Sequence, residues 1–258
     1  MLLAHALALS RLELYLQYDR PLVEEELVAV RDLLRRRHRQ EPMAYLLGEE
    51  SFRGLDFELP SGVLIPRPES ELLVSLGLDH VRRLGRDLVK AADLGCGTGC
   101  LGIALAVEAS QVHVQSVDIS EIAVATTERN AERHGVANQV TATVGSWAWQ
   151  LEGIGPFDLV VANPPYITSA EMSTIDVSVR EYEPRQALDG GLDGLSCYRD
   201  LLRSLAQVVD SQTRVLLECD PRRVSGVSDL VLATWPEATL TIHRDLAARD
   251  RALEVLVP

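Results

Sequence analysis

From Leu88 onward, short runs rich in Val, Leu and Ile alternate with helix-like stretches, and this alternation constrains the chain more than any other feature. The runs are Leu88–Leu94, then a helix over 100–109; Val112–Asp118, then 120–134; Val140–Val144; Phe157–Ala162; a helix over 196–209; and Arg214–Cys219. Strands alternating with helices at this spacing predict an α/β fold built on a parallel sheet covered on both faces. The end of the chain breaks the pattern. Ala238–His243 and Ala252–Val257 are separated only by Arg244 to Arg251, too short for a helical crossover, so these two strands are expected to be antiparallel.

The first third of the chain reads differently. Leu9, Leu12 and Leu16, then Leu27, Val30, Leu33 and Leu34, recur at helical spacing with a break at Asp19-Arg20-Pro21, which predicts two or more short helices. Phe52, Leu55, Phe57 and Leu59 alternate like a hairpin, and Pro60, Gly62, Pro66 and Pro68 then punctuate a linker. The expected organisation is a helical domain over 1–50, a hairpin and linker over 51–72, and the large α/β domain over 73–258. A chain of 258 residues is long enough for one substantial core and a smaller appendage.

Open sheets of this kind bind ligands beyond the carboxyl ends of their strands, so the strand ends are where chemistry is sought. The first strand runs into Asp93-Leu94-Gly95-Cys96-Gly97-Thr98-Gly99-Cys100 ahead of a helix. Glycines at alternate positions let the backbone approach a ligand closely, and the helix start presents unpaired N–H donors. The second strand ends in Asp118, a carboxylate placed to accept hydrogen bonds from ribose hydroxyls. These features leave the cofactor open, because Gly97, Gly99 and Gly102 also satisfy the dinucleotide pattern with Asp118 about twenty residues on. S-adenosylmethionine is preferred because Asp93 is expected to meet its cationic methionine moiety, whereas the same carboxylate would repel a pyrophosphate. Trp147, nearer the strand end than Trp149, is expected to stack on the adenine.

The fourth strand ends in Asn163-Pro164-Pro165-Tyr166. Two prolines stop a strand, since neither supplies a ladder N–H, and turn formation alone would account for that much. It would not account for an aromatic residue following at once beside the cofactor loop. A primary amide or exocyclic amine has its nitrogen lone pair delocalised and is a poor nucleophile. Two acceptors aimed at its N–H bonds, the Asn163 side-chain oxygen and the Pro164 carbonyl, push density back onto nitrogen, while Tyr166 covers the flat face of the substrate. The gain is mainly orientation, with reacting atoms roughly 3–3.5 Å apart. Asn163, Pro164 and Tyr166 are the expected catalytic residues.

Composition limits the alternatives. A net charge of −13 argues against a surface built for the phosphate backbone, and the run Arg35, Arg36, Arg37, His38, Arg39 reads as a solvated helix face. Cys96 and Cys100 have no matching Cys or His pair, so no metal site is expected. No segment approaches the ~20 apolar residues of a membrane span, and no secretory leader is recognisable, so a cytoplasmic monomer is expected.

Taken together, Glu41-Pro42-Met43-Ala44-Tyr45-Leu46-Leu47-Gly48, Phe52-Arg53-Gly54-Leu55, Leu64-Ile65-Pro66-Arg67-Pro68-Glu69-Ser70-Glu71, the glycine loop and Asn163 to Tyr166 resemble the release-factor glutamine methyltransferases, the PrmC/HemK family, over nearly the whole chain. The resemblance implies a Rossmann-like class I S-adenosylmethionine-dependent methyltransferase sheet, mostly parallel with an antiparallel C-terminal strand, behind a small N-terminal helical domain that helps to grip the substrate. It implies methylation of the side-chain nitrogen of the Gly-Gly-Gln glutamine in class 1 peptide chain release factors. By the same match, Gly95, Cys96, Gly97, Thr98, Gly99, Asp118, Trp147 and Asn163 would hold the cofactor. Asn163, Pro164, Pro165 and Tyr166 would hold the glutamine, with Arg67 and Glu71 shaping the pocket. Several positions depart from the family pattern: Ser70 stands for a usual threonine, Ser146 for an aspartate, Ala248 for a glycine, and Glu218-Cys219-Asp220-Pro221-Arg222-Arg223 lacks the expected glycine and glutamine. The rival functions are glutamine methylation of a large-subunit ribosomal protein, adenine-N6 methylation of nucleic acid, a non-catalytic module that keeps the cofactor fold, and dinucleotide-dependent oxidoreduction.

Overall fold

A computed structural model describes all 258 residues. The chain begins with helices α1 (Leu2–Ala6), α2 (Arg11–Leu16), α3 (Glu24–His38) and α4 (Met43–Leu47). Each break has a local cause. A capping box in which Ser10 accepts from the Glu13 N–H, and Glu13 from the Ser10 N–H, starts α2. In α3, Glu24 to Glu26 occupy the first turn and Arg35 to His38 the last, an arrangement matched to the helix dipole. The basic run is thus a helix terminus, and Arg36 forks onto Glu41.

Strands β1 (Glu49–Phe52) and β2 (Leu55–Glu58) form an antiparallel hairpin. Its Phe52 and Phe57 meet edge to face with centroids 6.3 Å apart, and both are buried in the core of the large sheet beside Leu73, Leu101 and Leu105. The hairpin is therefore packed as part of the α/β body. Asn130, fully buried, fastens it there by accepting the Glu58 N–H at 2.7 Å and donating to the Glu58 and Thr98 carbonyls at 3.1 and 2.9 Å.

The body comprises α5 (Glu71–Leu84), β3 (Val89–Leu94), α6 (Cys100–Glu108), β4 (Val112–Asp118), α7 (Glu121–Arg133), β5 (Val140–Val144) and β6 (Leu159–Ala162). It continues through α8 (Val177–Arg180), α9 (Ser196–Leu205), β7 (Arg214–Glu218), α10 (Val224–Thr234), β8 (Thr239–Arg244) and β9 (Asp250–Leu256). The seven-stranded sheet has the order β5-β4-β3-β6-β7-β9-β8. The first five strands are parallel, and β9 runs antiparallel to both β7 and β8. The antiparallel C-terminal strand expected from its short connection is thus present, and it inserts inside the sheet instead of lying at its edge. Alternating residues feed two cores: Val89 and Ala91 face α5 and α6, while Ala92 and Leu94 face α9 and α10. The sequence alternation, which starts at Leu88, omits α5, α8 and α10. No helix is long and apolar enough to cross a membrane.

Candidate active site

The register of the sheet assembles the site. Leu94 pairs with Val117 and with Ala162, and Ala162 pairs with Leu217, so these four form one row across the strands. One step further, at the carboxyl ends, Gly95, Asp118, Asn163 and Glu218 form the next row. Strand order reverses at β3, which opens a crevice there, as doubly wound sheets do.

The loop after β3 turns through left-handed conformations at Gly95, Gly97 and Gly99, and the Gly95 and Cys96 N–H groups both bond the Val117 carbonyl. Asp118 receives the Gly97 N–H on one oxygen and the Ser120 N–H on the other, each at 2.9 Å. Burial raises its pKa, and these backbone hydrogen bonds oppose the rise. Trp147 itself has a positive φ of 51°, rare for a bulky residue, and lies against Gly95, where an added Cβ would stand 3.6 Å from its ring. A cavity of about 350 Å³ opens above this surface, lined by Gly95, Cys96, Gly97, Thr98, Asp118, Trp147, Asn163 and Pro165 among others. Trp149, 45 % exposed, is not part of it.

Three expected residues are placed elsewhere. Glu71, expected to shape the pocket, begins α5, accepts the Arg53 N–H at 3.0 Å and lines neither cavity. Gly99 caps α6 beneath the loop, packed against Thr127 and Ile103, and does not line the cavity. Asp93, expected to meet the methionine moiety, is fully buried on the other side of the loop. Strand alternation puts it on the same face as Val89 and Ala91, under α6, where Oδ2 accepts the Gly102 N–H at 3.0 Å and Oδ1 has no partner. Burial pushes its pKa up to about 7. Asp93 therefore anchors α6 to β3, and the charge argument that preferred the methyl donor over a dinucleotide, which rested on this carboxylate, does not hold.

Pro164 and Tyr166 line a second cavity of about 240 Å³, together with Asn163 and Pro165 and a largely apolar wall that includes Ile175, Val179 and Leu188. The two cavities share Leu64, Arg67, Asn163, Pro165 and Ala187. Burial pushes the Tyr166 phenol up to about 12, so it stays neutral. The second cavity is roofed by the long segment between β6 and α9. Glu183 from that segment is buried, accepts the Ile65 N–H at 3.2 Å and ion-pairs with Arg67, which fastens the roof to the linker. The Tyr182 hydroxyl donates to the Arg39 carbonyl at 2.7 Å and ties the roof to the N-terminal helices.

Sequence reasoning brought Gly95 to Thr98, Asp118, Trp147 and Asn163 together at one cavity, and Asn163 to Tyr166 at the other. It missed Asn130, Glu183 and the roof, whose residues carry no motif. It quoted Glu218 only as the start of an unusual segment, although the strand-end rule that selected Asp118 and Asn163 would also have selected it.

A seven-stranded sheet of this order, with a glycine loop after the first strand, an acidic residue closing the second and an asparagine closing the fourth, is the class I S-adenosylmethionine-dependent methyltransferase fold. The comparisons with known proteins are narrower. Residues 70–180 match the model of the methyltransferase small domain and residues 1–48 that of the PrmC N-terminal domain. The release factor glutamine methyltransferase of Chlorobaculum tepidum is 41 % identical over 99 % of this chain and 88 % of its own length. That of Geobacter sulfurreducens is 46 % identical over 77 % of this chain and 67 % of its own. Among solved structures, the hMettl16 catalytic domain in complex with MAT2A 3'UTR hairpin 6 aligns with a TM-score of 0.61 at 16 % identity, covering 80 % of this chain and 78 % of that one, a likeness of fold alone. The chain belongs to the release factor glutamine methyltransferase family.

Proposed function

We propose that this protein transfers the methyl group of S-adenosylmethionine to the side-chain amide nitrogen (N5) of the glutamine in the Gly-Gly-Gln motif of class 1 peptide chain release factors. The observation that carries this reading is the position of Asn163 and Pro165 on the wall common to two cavities, one floored by Gly95 and Gly97, the other smaller and walled mainly by apolar side chains. The names of the relatives supply the identity of the protein substrate.

The first cavity suits the cofactor. The turns at Gly95 and Gly97 leave no Cβ on its floor, the Asp118 oxygens keep lone pairs beyond their backbone partners, and the Trp147 indole offers an apolar plate. When bound there, S-adenosylmethionine supplies an electrophilic methyl group on a sulfonium. The second cavity suits a flexible aliphatic side chain ending in a planar amide. In it Asn163 Oδ1 and the Pro164 carbonyl accept the two amide N–H bonds, Tyr166 lies over the amide plane, and the apolar walls exclude water. No strong base is needed, because the nitrogen becomes acidic only once it is alkylated. The same reading makes 1–50 the substrate-binding domain, supported by Leu12, Tyr15, Leu16 and Tyr18, which are all more than two-thirds exposed on and beside α2, and it takes the protein to act as a cytoplasmic monomer.

The test incubates the protein with labelled S-adenosylmethionine and, separately, a class 1 release factor, the large-subunit ribosomal protein and duplex DNA, and locates the label by mass spectrometry. Label is expected on the Gly-Gly-Gln glutamine, with kcat/KM falling about 10²–10³-fold in Asn163→Ala, as for removal of one preorganised polar group. Label on adenine or only on the ribosomal protein, or none at all despite bound cofactor, would overturn the proposal.

A further inference from the structure

The row that brings Asn163 to the site ends one strand further at Glu218, which is 1 % exposed at the end of β7. Between them stands Ser70, 3 % exposed, at the end of the 3₁₀ turn Pro68–Ser70 that leads into α5. The Ser70 hydroxyl donates to Glu218 Oε2 at 2.5 Å, and Asn163 Nδ2 donates to Ser70 Oγ at 3.1 Å. Asn163 Oδ1 makes no hydrogen bond within the chain.

A serine hydroxyl has one proton. Once that proton is committed to a carboxylate, Ser70 Oγ can only accept, so the amide edge that meets it must be the NH₂. The opposite edge, the Oδ1 acceptor, is then left toward the open side of Asn163. A carboxamide can otherwise turn by 180° at little cost, presenting donors where the substrate amide also has donors. Burial pushes the Glu218 carboxyl up to about 7, against the lowering effect of the Ser70 hydrogen bond and Arg251. At pH 8 it is ionised and can only accept.

We propose that Ser70 and Glu218 are positioning residues for methyl transfer: through one chain of hydrogen bonds they fix the orientation of the Asn163 amide so that Oδ1, and not Nδ2, faces the substrate nitrogen. The inference rests on the proposed glutamine methylation and adds a reason why Asn163 works in that direction. Neither residue lines the second cavity, although Ser70 lines the first; both act on the substrate amide through Asn163.

The test is steady-state kinetics at pH 8 with an intact release factor, alongside calorimetric binding of S-adenosylhomocysteine. Ser70→Ala is expected to lower kcat about 10- to 100-fold, the scale of a misaligned reacting group, with KM for the release factor and affinity for the cofactor product each within about threefold. Ser70→Thr, which keeps the hydroxyl, restores kcat to within about threefold of wild type, whereas Ser70→Val, of the same shape without the hydroxyl, does not. In an Asn163→Ala background, Ser70→Ala lowers kcat by no more than about twofold further, because the residue through which it acts is gone. The Thr and Val pair decides the matter if Ser70→Ala fails to fold. Wild-type kcat in Ser70→Ala or Ser70→Val, or equal losses in the two backgrounds, would overturn the positioning role while leaving the function standing. A wild-type enzyme that leaves the release factor unmodified would remove the function itself.

Discussion

Replacing Gly99 by alanine separates two costs that usually come together. Gly99 has φ +79°, so any Cβ there meets the left-handed penalty of roughly 1–2 kcal/mol. The added methyl would also stand 2.7 Å from Thr127 Cγ2 and 2.8 Å from Ile103 Cδ1. Thr127 cannot turn away freely, because its single hydroxyl proton is shared between the Gly97 carbonyl at 3.2 Å and Cys96 Sγ at 3.3 Å. Overpacking of this kind costs about 1–3 kcal/mol, and losing the hydrogen bond to Gly97 about 1 kcal/mol more. Gly99→Ala is therefore expected to destabilise by about 3–6 kcal/mol. Gly85, at the C-cap of α5, has φ +57° and nothing within 4 Å of the same Cβ, so Gly85→Ala should cost only the conformational part, about 1–2 kcal/mol. The effect of alanine on the unfolded chain is common to both and cancels in the difference. Urea unfolding at 25 °C with unchanged m-values measures each loss. Equal losses within about 0.5 kcal/mol would refute the packing argument, as would a Gly99→Ala loss below about 1 kcal/mol.

Asp93 gives a pH signature. Its folded pKa of about 7 lies above the ordinary aspartate value near 3.8, so between those pH values the folded chain holds a proton that the unfolded chain has released. Stability from this group is fully present below about pH 4 and is lost as pH rises to about 7. Asp93→Asn should therefore gain relative to wild type between pH 4 and pH 8, by on the order of 2–4 kcal/mol in unfolding free energy, and a gap that stays constant with pH would contradict the assignment. Arg67→Ala leaves the buried Glu183 carboxylate with only the Ile65 N–H, and because Arg67 is itself 32 % exposed the loss should be about 1–3 kcal/mol, below that of a fully buried pair. Adding Glu183→Gln should return part of that loss in the same unfolding assay, and strict additivity would refute the pairing.

The parts of the site legible in the sequence are those whose physics is local. A glycine at alternate positions, a carboxylate closing an apolar run and two prolines stopping one are each visible without knowing what lies across the sheet. Asp93 shows the limit of that reading. Its sequence position beside the loop is right for a cofactor contact, but one step of strand alternation turns its side chain under α6. Helices α5 and α10 went unread although α5 buries Leu73, Val74, Leu78 and Val81 against the sheet.

By its own order the chain determined an α/β body with strand ends rich in chemistry, an antiparallel close and a family resemblance, because periodicity and turn residues act over a few positions. Only the tertiary structure decided that β9 slides between β7 and β8, that the hairpin joins the main core, and that Ser70, Asn163 and Glu218 meet across 93 and 148 residues of chain. Those outcomes depend on register between strands distant in sequence, which no local pattern carries.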